Sequence, residues 1–264
     1  MNLSGSQIIE IKNDLIRWIR ETMENTGGKK AVVGISGGKD SSVVAALCVE
    51  ALGKDNVFGI LMPDGEQNDI DYAYGLCKFL GIKHQEVSIK PMTDAFRNSL
   101  NEIKGDLIED VSKQTTLNLP PRVRMTLLYA ISQSIAESRV INTSNLSEDW
   151  VGYATIYGDT AGAFSPLGML TSDEIIQIGR VLNIPEKYII KPPADGLTGK
   201  TDEDVLGFSY KELNQYIREG TAEGNLKEKI DKMHRLSAFK LEPIPMFDPK
   251  LSIKAEDDTD IYKG

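Results

Sequence analysis

The chain is poor in cysteine and histidine, with two of each in 264 residues, and only 7% of it is aromatic. Cys48 and Cys77 both fall in apolar stretches of helical spacing, and two cysteines are too few for a disulfide framework or a four-cysteine metal site. His84 and His234 stand apart in sequence and read as surface or packing residues rather than as a zinc site. No run approaches the ~18 consecutive apolar residues of a membrane span. The first residues, MNLSGSQIIEIKNDLIRW, carry acidic side chains and no apolar signal core, so a cytoplasmic protein with no membrane partner is expected. A basic excess is also missing. Thirty basic against 39 acidic side chains leave a formal charge of −9, which argues against wrapping a nucleic acid. A small anionic ligand is not excluded, since it needs only a local patch of donors.

With 41% hydrophobic and 26% charged residues, the chain has the composition of an ordinary globular protein. Its apolar pattern alternates between two periods. Residues 31–35, 57–62, 83–89 and 139–143 read as short strands. Between them, 40–52, 69–80 and 93–103 carry apolar side chains at helical spacing. Such alternation predicts right-handed crossovers and a parallel sheet with helices on both faces. Pro120 and Pro121 are expected to open a long helix running to Ser138, in the first turn where proline is tolerated. Residues 143–168 form a long Gly-, Ser-, Thr- and Asp-rich stretch of the kind that is functional or disordered. Thr171, with Glu174 three residues on, has the pattern of a capping box. Residues 191–204 read as a polar lid, and 210–219 and 226–238 as C-terminal helices.

The sharpest local feature lies in VVGISGGKDSSVVAAL, residues 32–47, where a strand gives way to a helix through Ser36-Gly37-Gly38-Lys39-Asp40-Ser41. Adjacent glycines let backbone N–H groups point inward, and the helix N-terminus adds unbonded donors and the positive end of its dipole. Hydroxyls come from Ser36, Ser41 and Ser42, and the assembly suits a pyrophosphate. The spacing matches neither the Walker loop nor the dinucleotide fingerprint. A carboxylate, Asp40, at the mouth of a phosphate site is most simply explained by a bridging Mg²⁺.

SGGKDSS resembles the pyrophosphate loop of the N-type ATP pyrophosphatases, which cleave ATP between its α- and β-phosphates to adenylylate an oxygen. LMPDGEQNDIDYA (61–73), NLPPRVRM (118–125), NTSNLSEDWVGY (142–153), YGDTAGAFSPL (157–167) and GKTDEDVLGFSY (199–210) are, in that order, similar to the ammonia-dependent NAD synthetases. That resemblance implies a Rossmann-like adenine nucleotide alpha hydrolase fold. It implies one domain over 1–264: an N-terminal helix, an α/β core at about 30–185, a lid at about 191–207 and a C-terminal helical segment. It also implies conversion of deamido-NAD to NAD⁺ with ATP, Mg²⁺ and ammonia. The ammonia would be free or delivered by another protein. A homodimer is expected, with the N-terminal amphipathic helix and the Pro120–Ser138 helix as candidate surfaces.

Carried residue by residue, the resemblance assigns ATP to Gly34, Ile35, Ser36, Gly37, Gly38, Lys39, Asp40, Ser41 and Ser42, with the Lys39 side chain directed to solvent. Leu61 and Met62 would line the adenine slot. Thr143 would contact ATP, and Thr201 would border the lid. Asp40 and Glu148 would ligate Mg²⁺ and, with Lys191, form the catalytic set. Arg122, Tyr153, Gly158, Asp159 and Lys240 would meet the dinucleotide. Arg122 and Arg124, two apart on a helix, face different ways, so at most one need reach the ligand. The match has departures. Ile156 stands where the family pattern has lysine, Ala163 where it has aspartate, and Ala194 where Ser or Thr precedes the lid's Asp195. Phe239-Lys240 replaces a common His-Lys pair. Losing Lys and Asp together removes two opposite charges from the dinucleotide side, which orphans neither. These departures keep open two alternatives: a paralogue acting on a different small carboxylate, and a nucleotide-binding protein without catalysis. Because both cysteines sit mid-helix, nitrogen rather than sulfur is the expected nucleophile.

Overall fold

The computed structural model describes residues 3–190 and 202–255. Its first helix, α1 (Gly5–Asn25), is closed by a capping box from Ser4 and Gln7. The α/β part follows: β1 (Lys30–Gly34), α2 (Lys39–Leu52), β2 (Val57–Leu61), α3 (Ile70–Leu80), β3 (Lys83–Glu86), α4 (Lys90–Glu102), α5 (Lys113–Gln133) and β4 (Ser138–Val140). The strands form one parallel sheet in the order β3-β2-β1-β4. The chain thus builds outward from β1 on one side and then returns to its other side, so the C-terminal ends of β1 and β4 lie side by side at the reversal point where ligands of such sheets collect.

Alternation along β1 explains the layers. Ala31, Val33 and Ile35 pack with α1, α2, α3 and a later helix, α7 (Ser172–Val181), in the main core. Val32 faces the other way, with Ile60, Met62 and Val123 of α5. The expected parallel sheet with helices on both faces is therefore present. β3, an edge strand reading KHQE, is exposed at every position, and charged side chains there discourage pairing with other chains. The apolar stripe of α1 (Ile8, Ile16, Ile19 and Met23) is buried in the main core, so this stripe is consumed within the chain rather than left as a surface for a second copy.

Two expectations need correction. The long helix does not begin at the prolines. It starts at Lys113, capped by the Ser112 hydroxyl accepting the Thr115 N–H at 3.1 Å, and Pro120 and Pro121 lie inside it. An interior proline forfeits a backbone hydrogen bond and costs about 3 kcal/mol. Here the ring of Pro121 packs close to Gly158, where an added Cβ would come within 3.0 Å of it. Asn118, one turn earlier, accepts the Thr155 hydroxyl at 3.0 Å. The proline turn thus meets the loop that follows β4. Second, the stretch after β4 holds a short helix, α6 (Leu146–Trp150), and residues 202–206 at the end of the stretch read as lid form a helical turn, α9.

Beyond α7 come α8 (Glu186–Ile189), α9, α10 (Tyr210–Glu219) and α11 (Leu226–Ser237). Val151, Leu206, Phe208, Leu213 and Ile230 form a separate small core under them. Glu174 fastens this segment to the α/β part. Its carboxylate accepts the Thr171 N–H at 2.8 Å, completing the expected capping box, and takes two bonds of 2.7 Å from Arg218 of α10. Burial alone would raise the carboxyl's pKa, but Arg218 and the Thr171 donors outweigh it and hold the group below its ordinary value. Glu174→Ala is expected to lower stability by about 2 kcal/mol, from a lost cap and an orphaned guanidinium. A carboxyl with a depressed folded pKa contributes above its unfolded value and loses that contribution as pH falls through the folded one. The gap between wild type and variant in urea denaturation should therefore be full at pH 7 and narrow below about pH 4.

Candidate active site

The loop between β1 and α2 is held by its neighbours before any ligand is considered. Ile35 still donates to the Ile60 carbonyl at 2.9 Å, which extends the strand register by one residue. Gly37 then takes φ +78°. A Cβ there would stand 2.8 Å from the Ala73 backbone nitrogen and 2.9 Å from Tyr72 Cβ, so the turn is pressed onto α3 and only glycine fits. Gly38 is the N-cap of α2 and brings no side-chain cap, which leaves the first-turn N–H groups directed into the concavity. The Ser36 and Ser41 hydroxyls are 3.1 Å apart, and Ser42 Oγ donates to the Gly38 carbonyl at 2.7 Å. Ser42 is fully buried and so braces the loop from behind, while Ser36 at the tip is exposed.

A charge cluster closes the cradle. Asn145, which follows β4, donates to Asp40 Oδ1 at 3.2 Å and caps α6 by accepting the Glu148 N–H at 3.1 Å. One amide therefore ties the β1 loop to the turn that carries Glu148. Lys39 does not point to solvent as expected. Its side chain folds back, only 8% exposed, with Nζ 2.9 Å from Asp40 Oδ2 and 3.9 Å from Glu148 Oε1. The reason is the like charge of the two carboxylates on opposing loops, which a single ammonium relieves. Burial opposes the charged lysine, yet Asp40 and Glu148 outweigh it and hold its pKa above the usual lysine range. Burial, then the nearby charge of Asp40, pushes the Glu148 carboxyl above its ordinary range, with Lys39 and Asn145 pulling the other way. The Lys39 ammonium also lies 5.7 Å from the centre of the Tyr210 ring. The hydroxyls of Tyr153 and Tyr210 both reach the buried Asp202, at 3.1 and 3.3 Å.

The loop after β4 forms the opposite wall. Asn142 Nδ2 donates to the carbonyls of Asp159 and Ala161, and Ser144 Oγ donates to the Asp159 carbonyl. The Asp159 carboxylate accepts the Thr155 N–H at 3.1 Å; it is exposed, while Gly158 is buried. Thr143 is half-buried just past the end of β4. Arg122 is exposed and donates to the Ile156 carbonyl at 3.2 Å. Lys240 donates to the carbonyls of Gly152 and Ala154 at 2.7 and 2.9 Å, so it pins the loop. Leu61 and Met62 are buried at the end of β2. Lys191, Thr201, Ala194 and Asp195 lie outside the described residues.

Four residues at the site, Arg124, Asn145, Tyr210 and Asp202, carry no assigned role in the sequence reading. Arg124, not only Arg122, reaches the site edge: it donates to the Met62 carbonyl at 3.1 Å, and burial, partly offset by Asp159 and Asp64, lowers its pKa. The two arginines do face different ways, as their spacing requires. Asn145 is legible as an N-cap, with Glu148 three residues on. Tyr210 and Asp202 carry no motif of their own that points to Lys39, and only tertiary packing brings them to it. Both thiols are buried in the main core. Burial pushes Cys48 up to about 12 and Cys77 up to about 11, which removes them as nucleophiles at neutral pH.

A family profile described as NAD synthase matches residues 11–246. The NH(3)-dependent NAD(+) synthetase of Wolinella succinogenes is 38% identical over 251 residues, covering 89% of this chain and 93% of that one. Among solved structures, NMN synthetase from Francisella tularensis superposes with a TM-score of 0.84 at 30% identity, covering 94% of this chain and all of that one. The NH3-dependent NAD synthetase from Campylobacter jejuni gives 0.74 at 32% identity, with 91% and 99% covered. A glycine turn opening onto a helix N-terminus at the reversal point of a parallel sheet, a facing carboxylate pair and these likenesses along nearly the whole chain agree: the chain belongs to the NAD synthase family.

Proposed function

We propose that the chain is an ATP-dependent, ammonia-using ligase that converts the carboxylate of deamido-NAD to the amide of NAD⁺. The observation that carries this reading is the meeting of the Ser36–Ser42 loop with Asp40 and Glu148 across the C-terminal ends of β1 and β4. First-turn N–H groups of α2 and the Ser36 and Ser41 hydroxyls hold the β- and γ-phosphates, with Gly34, Ile35, Gly37 and Gly38 shaping the cradle. Leu61 and Met62 form the adenine wall, and Thr143 contacts ATP from the end of β4. A carboxylate oxygen of the substrate attacks the α-phosphorus, the bond to the bridging oxygen breaks, and pyrophosphate departs into the cradle. Ammonia then attacks the acyl carbon, AMP leaves, and the surplus proton passes to solvent. The chain's contribution is alignment and fixed donors around the departing charge.

Two carboxylates converging on one cation fit a hard divalent metal. Among the described residues no group of three or more His, Cys, Asp or Glu side chains gathers to hold an ion, so Asp40 and Glu148 would be the protein's ligands to Mg²⁺. Phosphate oxygens and water would take the other positions, as this ion ordinarily accepts. When bound, it neutralises phosphate charge. Arg122, Tyr153, Gly158 and Asp159 border the nicotinate side, with Lys240 bracing their loop, and Lys191 and Thr201 belong to the lid segment. No helix among the described residues is long and apolar enough to cross a membrane, and we place the enzyme in the cytoplasm as a homodimer.

A second reading is favoured by a specific observation. Ile156 and Ala163 supply no charge where the resembled pattern has Lys and Asp. The Ile156 carbonyl is taken by Arg122, and Ala163 is exposed. Together with the likeness to a protein named NMN synthetase, this supports the mononucleotide carboxylate as substrate. AMP release with Mg-ATP and excess ammonium, measured on deamido-NAD and on nicotinate mononucleotide side by side, decides between them. Turnover at least tenfold higher on deamido-NAD is expected from the first reading, the reverse order from the second, and no AMP from either sinks both. Asp40→Asn and Glu148→Gln should each lower kcat by about 100-fold or more, the scale of losing a fixed electrostatic partner of a developing charge. A tenfold effect or less in both would remove them from the reaction.

A further inference from the structure

Lys39 is the first residue of α2, a position from which a long charged side chain reaches water easily. It is buried instead, which costs side-chain freedom and hydration. What it gains is a place between two carboxylates: 2.9 Å from Asp40 Oδ2 and 3.9 Å from Glu148 Oε1. The face of Tyr210 lies beyond, at 5.7 Å. A divalent cation serving the same two carboxylates would meet the ammonium at close range, and like charges at that distance exclude one another. The ammonium therefore needs a second partner before a metal can take its place. The phosphates of a nucleotide seated at the N-terminus of α2 are within the natural reach of a residue in that first turn.

We propose that Lys39 is a built-in counter-ion of the Asp40–Glu148 pair, exchanged for Mg²⁺ when a nucleotide's phosphates receive its ammonium, so that metal and nucleotide bind as a coupled pair. This rests on the reading that Asp40 and Glu148 take the metal. Its physical content is a coupling free energy: each ligand raises the affinity for the other because each relieves a cost imposed by the same lysine. A lysine facing solvent would give no such coupling.

The test is Mn²⁺ binding followed by electron paramagnetic resonance, on the full chain, with and without α,β-methylene-ATP, which cannot be cleaved at the reacting bond. Wild type should bind Mn²⁺ weakly alone and about tenfold or more tighter with the nucleotide. Lys39→Met should bind Mn²⁺ alone about tenfold tighter than wild type, and the nucleotide's enhancement should shrink by the same factor. Lys39→Arg, which keeps the charge, should retain the weak nucleotide-free affinity. An unchanged nucleotide-free affinity in Lys39→Met overturns the proposal. So does an equal rise with and without nucleotide, which would be a plain charge effect. If Lys39→Met does not fold, absence of any nucleotide enhancement in wild type overturns it equally. Asp40→Asn and Glu148→Gln report on the premise: metal binding that survives both removes the assigned ligands. Binding lost in both, with Lys39→Met unchanged, sinks the exchange alone.

Discussion

The organisation of the molecule depends on two acidic side chains being brought to one place from neighbouring strands of the sheet. Asp40 stands at the start of the helix after β1, and Glu148 in the short helix after β4. Strand order makes these neighbours, because β1 and β4 pair directly in parallel. Such a pair is unfavourable by itself, and the structure around it compensates. Lys39 lies between the carboxylates, Asn145 links their two loops, and Tyr210 covers the lysine. Asp202 anchors the hydroxyls of Tyr153 and Tyr210 behind that cover. Even the tie of the C-terminal helices to the sheet, through Arg218 and Glu174, bears on the cluster, since it seats the helix that begins with Tyr210.

An acidic chain with the phosphate site proposed here is not a contradiction. The net charge of −9 belongs to the whole sequence, whereas the turn presents backbone N–H groups and hydroxyls. Its precision comes from steric pressure. Gly37 has no room for a Cβ against α3, and Ser42 ties the turn from below. Donors held in this way lose little entropy on meeting an anion, the advantage of preorganisation.

Much of this is legible in the sequence because the signals are local. The glycine-rich turn, the alternation of strand and helix and the capping box at Thr171 each rest on residues a few positions apart. The start of α5 is misread for the same reason: Pro120 and Pro121 are the strongest local signal for a helix opening, and what overrides them is distant, the packing of Pro121 near Gly158 and of Asn118 on Thr155. Two arginines on one helix, Arg122 and Arg124, cannot be ranked until the Met62 carbonyl is placed before one of them. The Phe239-Lys240 pair is a similar case. Its departure from the family pattern is visible in the chain, but the role of Lys240 as a brace on two backbone carbonyls is not.

The sequence by itself determined the fold class and the glycine-rich turn, since each is written in contiguous residues whose spacing has a direct physical consequence, and the likeness of its motifs pointed to the family. Only the tertiary structure decided which way Lys39 points. A side chain at the first turn of a helix is free to choose water. This one turns inward because Glu148, far along the chain from Asp40, stands beside it across the sheet and within reach of the same ammonium. Electrostatic cost depends on distance in space, and no spacing along the chain records that distance.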